Sequence, residues 1–113
     1  MYEDHLPLNH ADFHIMLALA DEERHGYGIM LHVNELTEGA LRLGPGTLYT
    51  SIKRLVAANM IEESEERPDP EMDDQRRRYY RLTKLGRKIL AAEAQRLEHI
   101  VRQARSKRVL KHA

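Results

Sequence analysis

The chain has 113 residues, no cysteine, and equal numbers of acidic and basic side chains, 18 of each. This length predicts one domain with a modest core, and the lack of thiols excludes disulfides and thiolate metal sites. The acidic start of the chain lacks the features of a signal peptide, and no apolar run approaches the length of a membrane span. We therefore expect a soluble, cytoplasmic protein with no membrane partner.

The charges are segregated along the chain. Residues 1–40 hold eight acids and one base, and residues 61–75 repeat that composition. By contrast, residues 41–60 hold three bases and no acid, and residues 76–113 hold thirteen bases and two acids. Because a partner responds to local rather than to net charge, the two basic stretches are candidate contacts for a polyanion.

Apolar residues recur at helical spacing in two early segments. These are "ADFHIMLALA" at 11–20 and "YGIMLHVNEL" at 27–36. The spacing predicts two helices, the first mostly buried and the second ending near Gly39, a residue type common just past a helix end.

A third helix is predicted from Pro45 to Asn59 or Met60. Proline suits the first turn of a helix, because the N–H that it lacks would have no intrahelical partner there. The apolar stripe that we expect to face the core consists of Leu48, Ile52 and Leu55.

Two short strands follow. They are predicted in "IEESEE" at 61–66 and in "RRRYYRL" at 76–82, with the exposed loop "RPDPEMDDQ" at 67–75 between them. Alternation along the second strand directs Tyr80 and Leu82 toward the core.

A final helix is predicted from Lys84 to about Leu110, with Thr83 as its N-cap. Gly86 stands at the position where a capping box would have Glu. At 1.5 Å per residue the helix would span about 40 Å, which is too long for one side of so small a domain to cover.

Three helices, a two-stranded ribbon and a long helix define a mainly α (α+β) fold, the winged helix-turn-helix. We expect residues 10–83 to form the DNA-binding domain, with its third helix in the DNA major groove, and residues 84–111 to form a dimerisation helix. No catalytic motif is present. His10 and His14 are four residues apart, but no nearby carboxylate completes a metal site, so we expect no enzyme activity, metal or cofactor.

Several motifs resemble those of the PadR family of transcriptional regulators, especially its small members. They are "HGYGI" at 25–29, "PGTLY" at 45–49, "IKRL" at 52–55, "MI" at 60–61, "DDQRRRYYRLT" at 73–83 and "GR" at 86–87. The resemblance covers about residues 10–110. It implies a dimeric DNA-binding regulator, usually a repressor, whose C-terminal helix mediates dimerisation.

The sequence departs from the family pattern at two points. Asn59 stands where family members often have glycine, and asparagine tolerates the left-handed conformation that such a turn needs. The short C-terminus leaves no room for the separate helical domain of larger members. Any small-molecule effector would therefore bind at the dimer interface, or there is no effector site.

The third helix carries the main candidate DNA-binding residues. Thr47, Thr50, Ser51 and Arg54 follow a spacing that places them on one face, with Tyr49 and Lys53 beside them. Short hydroxyls allow close approach to base edges and phosphates, and arginine can bind guanine or a phosphate. The alternative is a solvated helix face, and for Tyr49 a position packed under the wing.

Further candidates lie outside this helix. Arg76 and Arg77, near the tip of the wing, are predicted to enter a minor groove or to bind phosphates, unless they neutralise the acidic loop beside them. His25 and Tyr27 are candidate phosphate contacts at the start of the second helix, although Tyr27 could instead pack on the first helix.

The last helix carries an apolar seam that predicts a homodimer. Its residues are Leu90, Ala94, Leu97, Ile100, Val101 and Ala104. The start of this helix should fold back on its own domain, whereas residues beyond Leu97 have little to cover them. A dimer would present two recognition helices about 34 Å apart, which matches a palindromic operator.

The function predicted from the sequence is therefore a sequence-specific DNA-binding repressor. The competing hypothesis, from a different class, is a protein–protein interaction module that keeps the winged-helix scaffold without reading DNA. In that case the acidic first forty residues and the wing loop would be the contact surfaces.

Overall fold

The computed structural model of the protein describes residues 5–64 and 78–111. In chain order the elements are α1 (His10–Ala18), β1 (Arg24–His25), α2 (Gly26–Leu36), α3 (Pro45–Ala57), β2 (Ile61–Ser64), β3 (Tyr79–Leu82) and α4 (Lys84–Ser106). Within these residues no helix combines the length and the apolar character needed to cross a membrane. The mainly helical winged helix-turn-helix predicted from the sequence is confirmed.

Side chains cap three of the four helices. Asn9 accepts the backbone N–H of Asp12 at the start of α1, at 2.8 Å. Thr83 accepts the N–H of Gly86 at 2.9 Å, so the predicted cap of α4 is confirmed. The third helix has no side-chain cap and begins at Pro45, as predicted.

One core joins all four helices and the sheet. It is built from the apolar faces of α1, α2 and α3, closed by the start of α4 and by the inner face of the hairpin. Its largest fully buried apolar side chains are Ile15, Met16, Ile29, Val33, Leu48, Leu55, Ile61 and Ile89. The predicted burial of the first helix and of the α3 stripe is thus confirmed.

The sheet has three antiparallel strands in the order β1-β3-β2. Tyr80 of β3 is buried and Leu82 packs against the core, as strand alternation predicted. The two-residue strand β1, which pairs Arg24 with Tyr80, was not predicted. The predicted extensions of the hairpin strands at 65–66 and 76–77 lie outside the described residues.

The turn between α3 and β2 anchors the long helix. Asn59 adopts the left-handed conformation, with φ of 62°, which confirms the reading of this position as a glycine-like turn. Its carbonyl accepts the Thr83 hydroxyl at 2.7 Å.

Residue 90 was predicted to belong to the dimer seam. This is wrong, because the first turns of α4 lie on the core and Leu90 is only 6% exposed there.

Candidate nucleic-acid interface

The third helix is amphipathic, with a buried apolar side and an exposed polar side. Leu48, Ile52 and Leu55 are buried against the other helices. The exposed residues among the predicted contacts are Thr47, Tyr49, Thr50, Lys53 and Arg54. The helix contains no acidic residue and two basic ones, so its exposed side offers hydroxyls and positive charge.

Ser51 does not share this exposure. It is only 4% exposed, so its predicted place on the accessible face is wrong. Successive residues are rotated by about 100° around a helix, which puts Ser51 between the polar stripe and Leu55. Its hydroxyl lies beside Arg54 Nη2, at 3.5 Å, and lines the floor of a groove rather than its rim.

That groove runs between the start of α1 and the exposed side of α3. It is an open cleft of about 780 Å³. The lining residues are Asn9, His10, Ala11, Leu41, Gly46, Thr47, Thr50, Ser51 and Arg54. The structure therefore brings four of the predicted contacts, Thr47, Thr50, Ser51 and Arg54, together at one concave surface.

Arg54 is tied to the first helix. Its Nη2 donates to Oδ1 of Asp12 at 2.5 Å, and the Asp12 side chain is only 8% exposed whereas that of Arg54 is 49% exposed. This hydrogen bond raises the pKa of Arg54 above its ordinary value. Sequence reasoning missed Asp12, because an acid in the first turn of a helix has an ordinary local explanation, namely the helix dipole.

Tyr49 bridges α3 and the start of α2. Its ring lies against Gly26 so closely that a Cβ on that glycine would be 2.8 Å from Tyr49 Cζ. On its other side Tyr49 lines a cleft with Lys53, and with Glu63 and Arg78 at the base of the wing. The side chain is 51% exposed, so it packs on α2 and also faces solvent.

His25 is engaged in capping α2. Its Nδ1 accepts the backbone N–H of Gly28 at 3.0 Å, which leaves Nε2 as the protonated nitrogen of the neutral ring. The ring stacks on that of Tyr27 with centroids 6.5 Å apart, and meets Tyr79 edge-on at 5.2 Å. Tyr27 is 55% exposed, so it does not pack into the core.

The two wing arginines predicted to contact DNA, Arg76 and Arg77, lie outside the described residues. Of their described neighbours, Arg81 pairs with Glu62 across the hairpin at 3.1 Å and with Glu23 at 3.7 Å. The hydrogen bond that Arg81 donates to the Glu62 carboxylate raises the pKa of Arg81. The base of the wing is therefore held by charge pairs that Arg81 of β3 makes with Glu62 of β2 and with Glu23.

The far part of α4 leaves an apolar strip uncovered. Ile100 is 44% exposed. Ala94 is exposed, and Leu97, Val101 and Ala104 are partly exposed. The predicted seam, without Leu90, thus lies on an accessible face of the helix.

A second residue missed by the sequence reading, Glu93, marks where this strip begins. It is 1% exposed and accepts the N–H of Leu8 at 2.9 Å.

These features define a winged-helix protein with an exposed, acid-free third helix. The profile of the transcriptional regulator PadR-like family matches residues 15–92. The chain therefore belongs to this family of transcriptional regulators, which are not enzymes, and the family resemblance seen in the sequence is confirmed.

Individual relatives agree with this assignment. The chain is 37% identical over 90 residues to transcriptional regulator Rv3488 of Mycobacterium tuberculosis, an alignment that covers 80% of this chain and 78% of that protein. A PadR family regulator from Clostridium difficile has a similar structure, with a TM-score of 0.68, 26% identity, and coverage of 87% and 97%.

A third comparison bears on the fold. The structure of Bacillus subtilis PadR in complex with operator DNA matches with a TM-score of 0.61 and 20% identity, covering 76% of this chain and 47% of that one. At this identity the likeness establishes a shared fold.

Proposed function

We propose that the protein is a homodimeric transcriptional repressor that binds a palindromic operator. In this proposal α3 enters the major groove, and the wing, about residues 61–82, lies on the flanking minor groove or backbone. The observation that carries it is the exposed side of α3, where Thr47, Thr50 and Lys53 are accessible and no acid is present.

The chemistry of this surface suits a duplex. Threonine is short enough to let a helix backbone approach base edges, and its methyl group can contact thymine. Lys53 supplies a flexible point charge of the kind that binds phosphates without regard to sequence. The Bacillus subtilis relative, which shares the fold, has been solved in complex with operator DNA, and this supports duplex DNA as the partner proposed here.

The accessible strip on α4 supports the homodimer. Leu97, Ile100 and Val101 face away from the core of their own domain. A second copy of the same helix is the simplest cover, because a two-fold axis lets one apolar strip pack on itself. Release from DNA would then follow a small molecule, or another signal, that acts at that dimer interface.

Selection of bound duplexes from random DNA, with the purified full chain, tests the proposal. We expect enrichment of a palindrome whose half-sites are about one helical turn apart. Lys53→Ala should weaken binding to every duplex and reduce the salt slope by about 0.9, the value expected for one lost phosphate contact. Lys88→Ala, an exposed lysine on α4, is the matched control and should change neither.

Two results would contradict the proposal. One is the absence of any enriched duplex, above all if the chain instead captures a protein partner through its acidic surface, as the interaction-module hypothesis requires. The other is an equal loss of affinity in the Lys53 and Lys88 variants, because general charge would then explain the binding.

A further inference from the structure

We infer that Asp12 of α1 is a positioning residue for DNA recognition. Its buried carboxylate fixes the guanidinium of Arg54 and cancels part of its charge, so that Arg54 contributes to the choice of sequence more than to general attraction for DNA. The inference rests on the proposed function, because it assigns roles within the same surface.

The geometry holds one end of the guanidinium and leaves the other accessible. Nη2 of Arg54 donates to Asp12 Oδ1 and lies 3.5 Å from the Ser51 hydroxyl, both of them buried groups. In the described part of the chain, Nε and Nη1 of Arg54 make no hydrogen bond, and about half of the side chain is exposed in the groove. Arginine can therefore bind Asp12 and a further acceptor at the same time.

The carboxylate itself is fixed by a rigid element. Asp12 lies in the first turn of α1, where its backbone N–H is bound by the Asn9 cap at 2.8 Å. The following residues of the helix, Ile15 and Met16, are fully buried in the core. Because the core fixes α1, Asp12 holds Arg54 of α3 in a defined position relative to the core.

Asp12 orients the side chain of Arg54 and neutralises part of its charge, and these two effects have different consequences for DNA binding. A free arginine loses most of its rotamer freedom when it contacts a base, whereas an arginine that is already held loses less. This advantage applies only to a base that the held conformation can reach. A paired arginine also displaces fewer counterions from DNA than a free one. Lys53, on the same helix, makes no ion pair among the described residues, so no carboxylate there offsets its attraction for DNA.

The test compares the selected duplex with a scrambled one over a range of salt concentrations. Asp12→Ala should lower the ratio of specific to non-specific affinity by roughly 5- to 150-fold, the range for one lost base contact. It should also strengthen binding to the scrambled duplex and steepen the salt slope by up to about 0.9, because Arg54 regains a full charge. Asp12→Asn retains an acceptor for Arg54. It should steepen the salt slope but lower the ratio of specific to non-specific affinity by less than Asp12→Ala does.

The double variant separates positioning from folding. In an Arg54→Ala background, Asp12→Ala or Asp12→Asn should leave the ratio of specific to non-specific affinity unchanged, because no guanidinium remains for Asp12 to position. A merely structural role for Asp12 would instead weaken binding to both duplexes equally and would persist without Arg54. Thermal unfolding of each variant identifies any that do not fold, and the asparagine variant carries the test if the alanine variant does not.

The outcomes distinguish this inference from the proposed function. If the wild-type chain selects no duplex, the proposed function fails and the inference fails with it. If the wild type selects a duplex but the Asp12 variants leave the ratio and slope unaltered, or alter the ratio equally without Arg54, only the positioning role is overturned.

Discussion

Gly86, in the first turn of α4, lies directly against the backbone carbonyl of Met60. A Cβ built on this glycine would be 2.8 Å from the Met60 carbonyl carbon, and it would overlap the oxygen. The same carbonyl accepts the backbone N–H of Thr83 at 3.1 Å. This contact joins α4 to the turn that follows α3, and it explains why glycine occupies the position where a capping box would have glutamate.

We therefore expect Gly86→Ala to lower the free energy of unfolding by about 2–3 kcal/mol, because the added methyl group meets backbone that cannot move aside cheaply. Gly46→Ala is the matched control. It also lies in the first turn of a helix, but no atom is within 4 Å of the position of its Cβ. Its variant should be neutral or stabilised by up to about 1 kcal/mol. Urea unfolding of both variants measures the difference, and equal stabilities would contradict the close approach.

Local signals in the sequence were sufficient for most of the fold. Pro45, Thr83 and Asn59 each fix a boundary through their own backbone or capping chemistry, and the apolar spacing in α3 identifies its buried side. The two-residue strand β1 could not be predicted. Arg24 and His25 form a strand only because β3 lies beside them.

The candidate site was predictable only in part, because the sequence does not show how wide the buried arc of a helix is. Ser51 lies about 40° around α3 from Thr47, so the packing of α1 decides whether its hydroxyl is exposed. The ion pair of Arg54 joins residues 42 positions apart, and no local pattern announces it. Similarly, Leu90 fits the helical seam by spacing and is removed from it only by the core.

Glu93 joins the N-terminal segment to α4. Its carboxylate accepts the N–H of Leu8 at 2.9 Å and the guanidinium of Arg96 at 2.5 and 3.1 Å. We expect Glu93→Ala to lower the free energy of unfolding by about 2 kcal/mol, because the partly buried N–H of Leu8 loses its acceptor, and Glu93→Gln to cost less.

The exposed pair Glu98–Arg102 provides a control for this prediction. Both side chains are about two-thirds exposed. Glu98→Ala should therefore change the free energy of unfolding by no more than about 0.5 kcal/mol. If Glu93→Ala were as mild as Glu98→Ala in the same denaturation experiment, the anchoring role of Glu93 would be wrong.

Glu93 also predicts a pH dependence. The hydrogen bond from Arg96, helped by that from Leu8 and opposed by burial, lowers the pKa of Glu93 below its ordinary value of 4.5. A lowered pKa in the folded state stabilises the protein above pH 4.5, and this contribution is lost as the pH falls through the folded-state pKa. The stability difference between wild type and Glu93→Gln should thus be constant near neutrality and shrink in acid. A stability difference that grows on acidification would show that the pKa of Glu93 is raised in the folded protein, not lowered.

The accessible strip on α4 predicts the oligomeric state. We expect the wild type to sediment as a dimer and Ile100→Asp to sediment as a monomer, because a charge would be buried against a second helix. Gln95→Glu, on the opposite side of α4, is exposed and should remain dimeric. The aspartate variant should also lose affinity for a palindromic duplex. A monomeric wild type, or a dimer that tolerates the aspartate, would exclude this seam.

The proposed function requires the accessible side of α3 to read DNA. Modification interference on a duplex that the protein selects tests this requirement most directly. Guanine N7 methylation and removal of the thymine methyl group both alter the major groove. We expect interference in two major-groove patches, centred about 10 base pairs apart and each weakened in Lys53→Ala. Absence of interference at both groups, in a duplex that the protein still binds, would show that α3 does not read DNA.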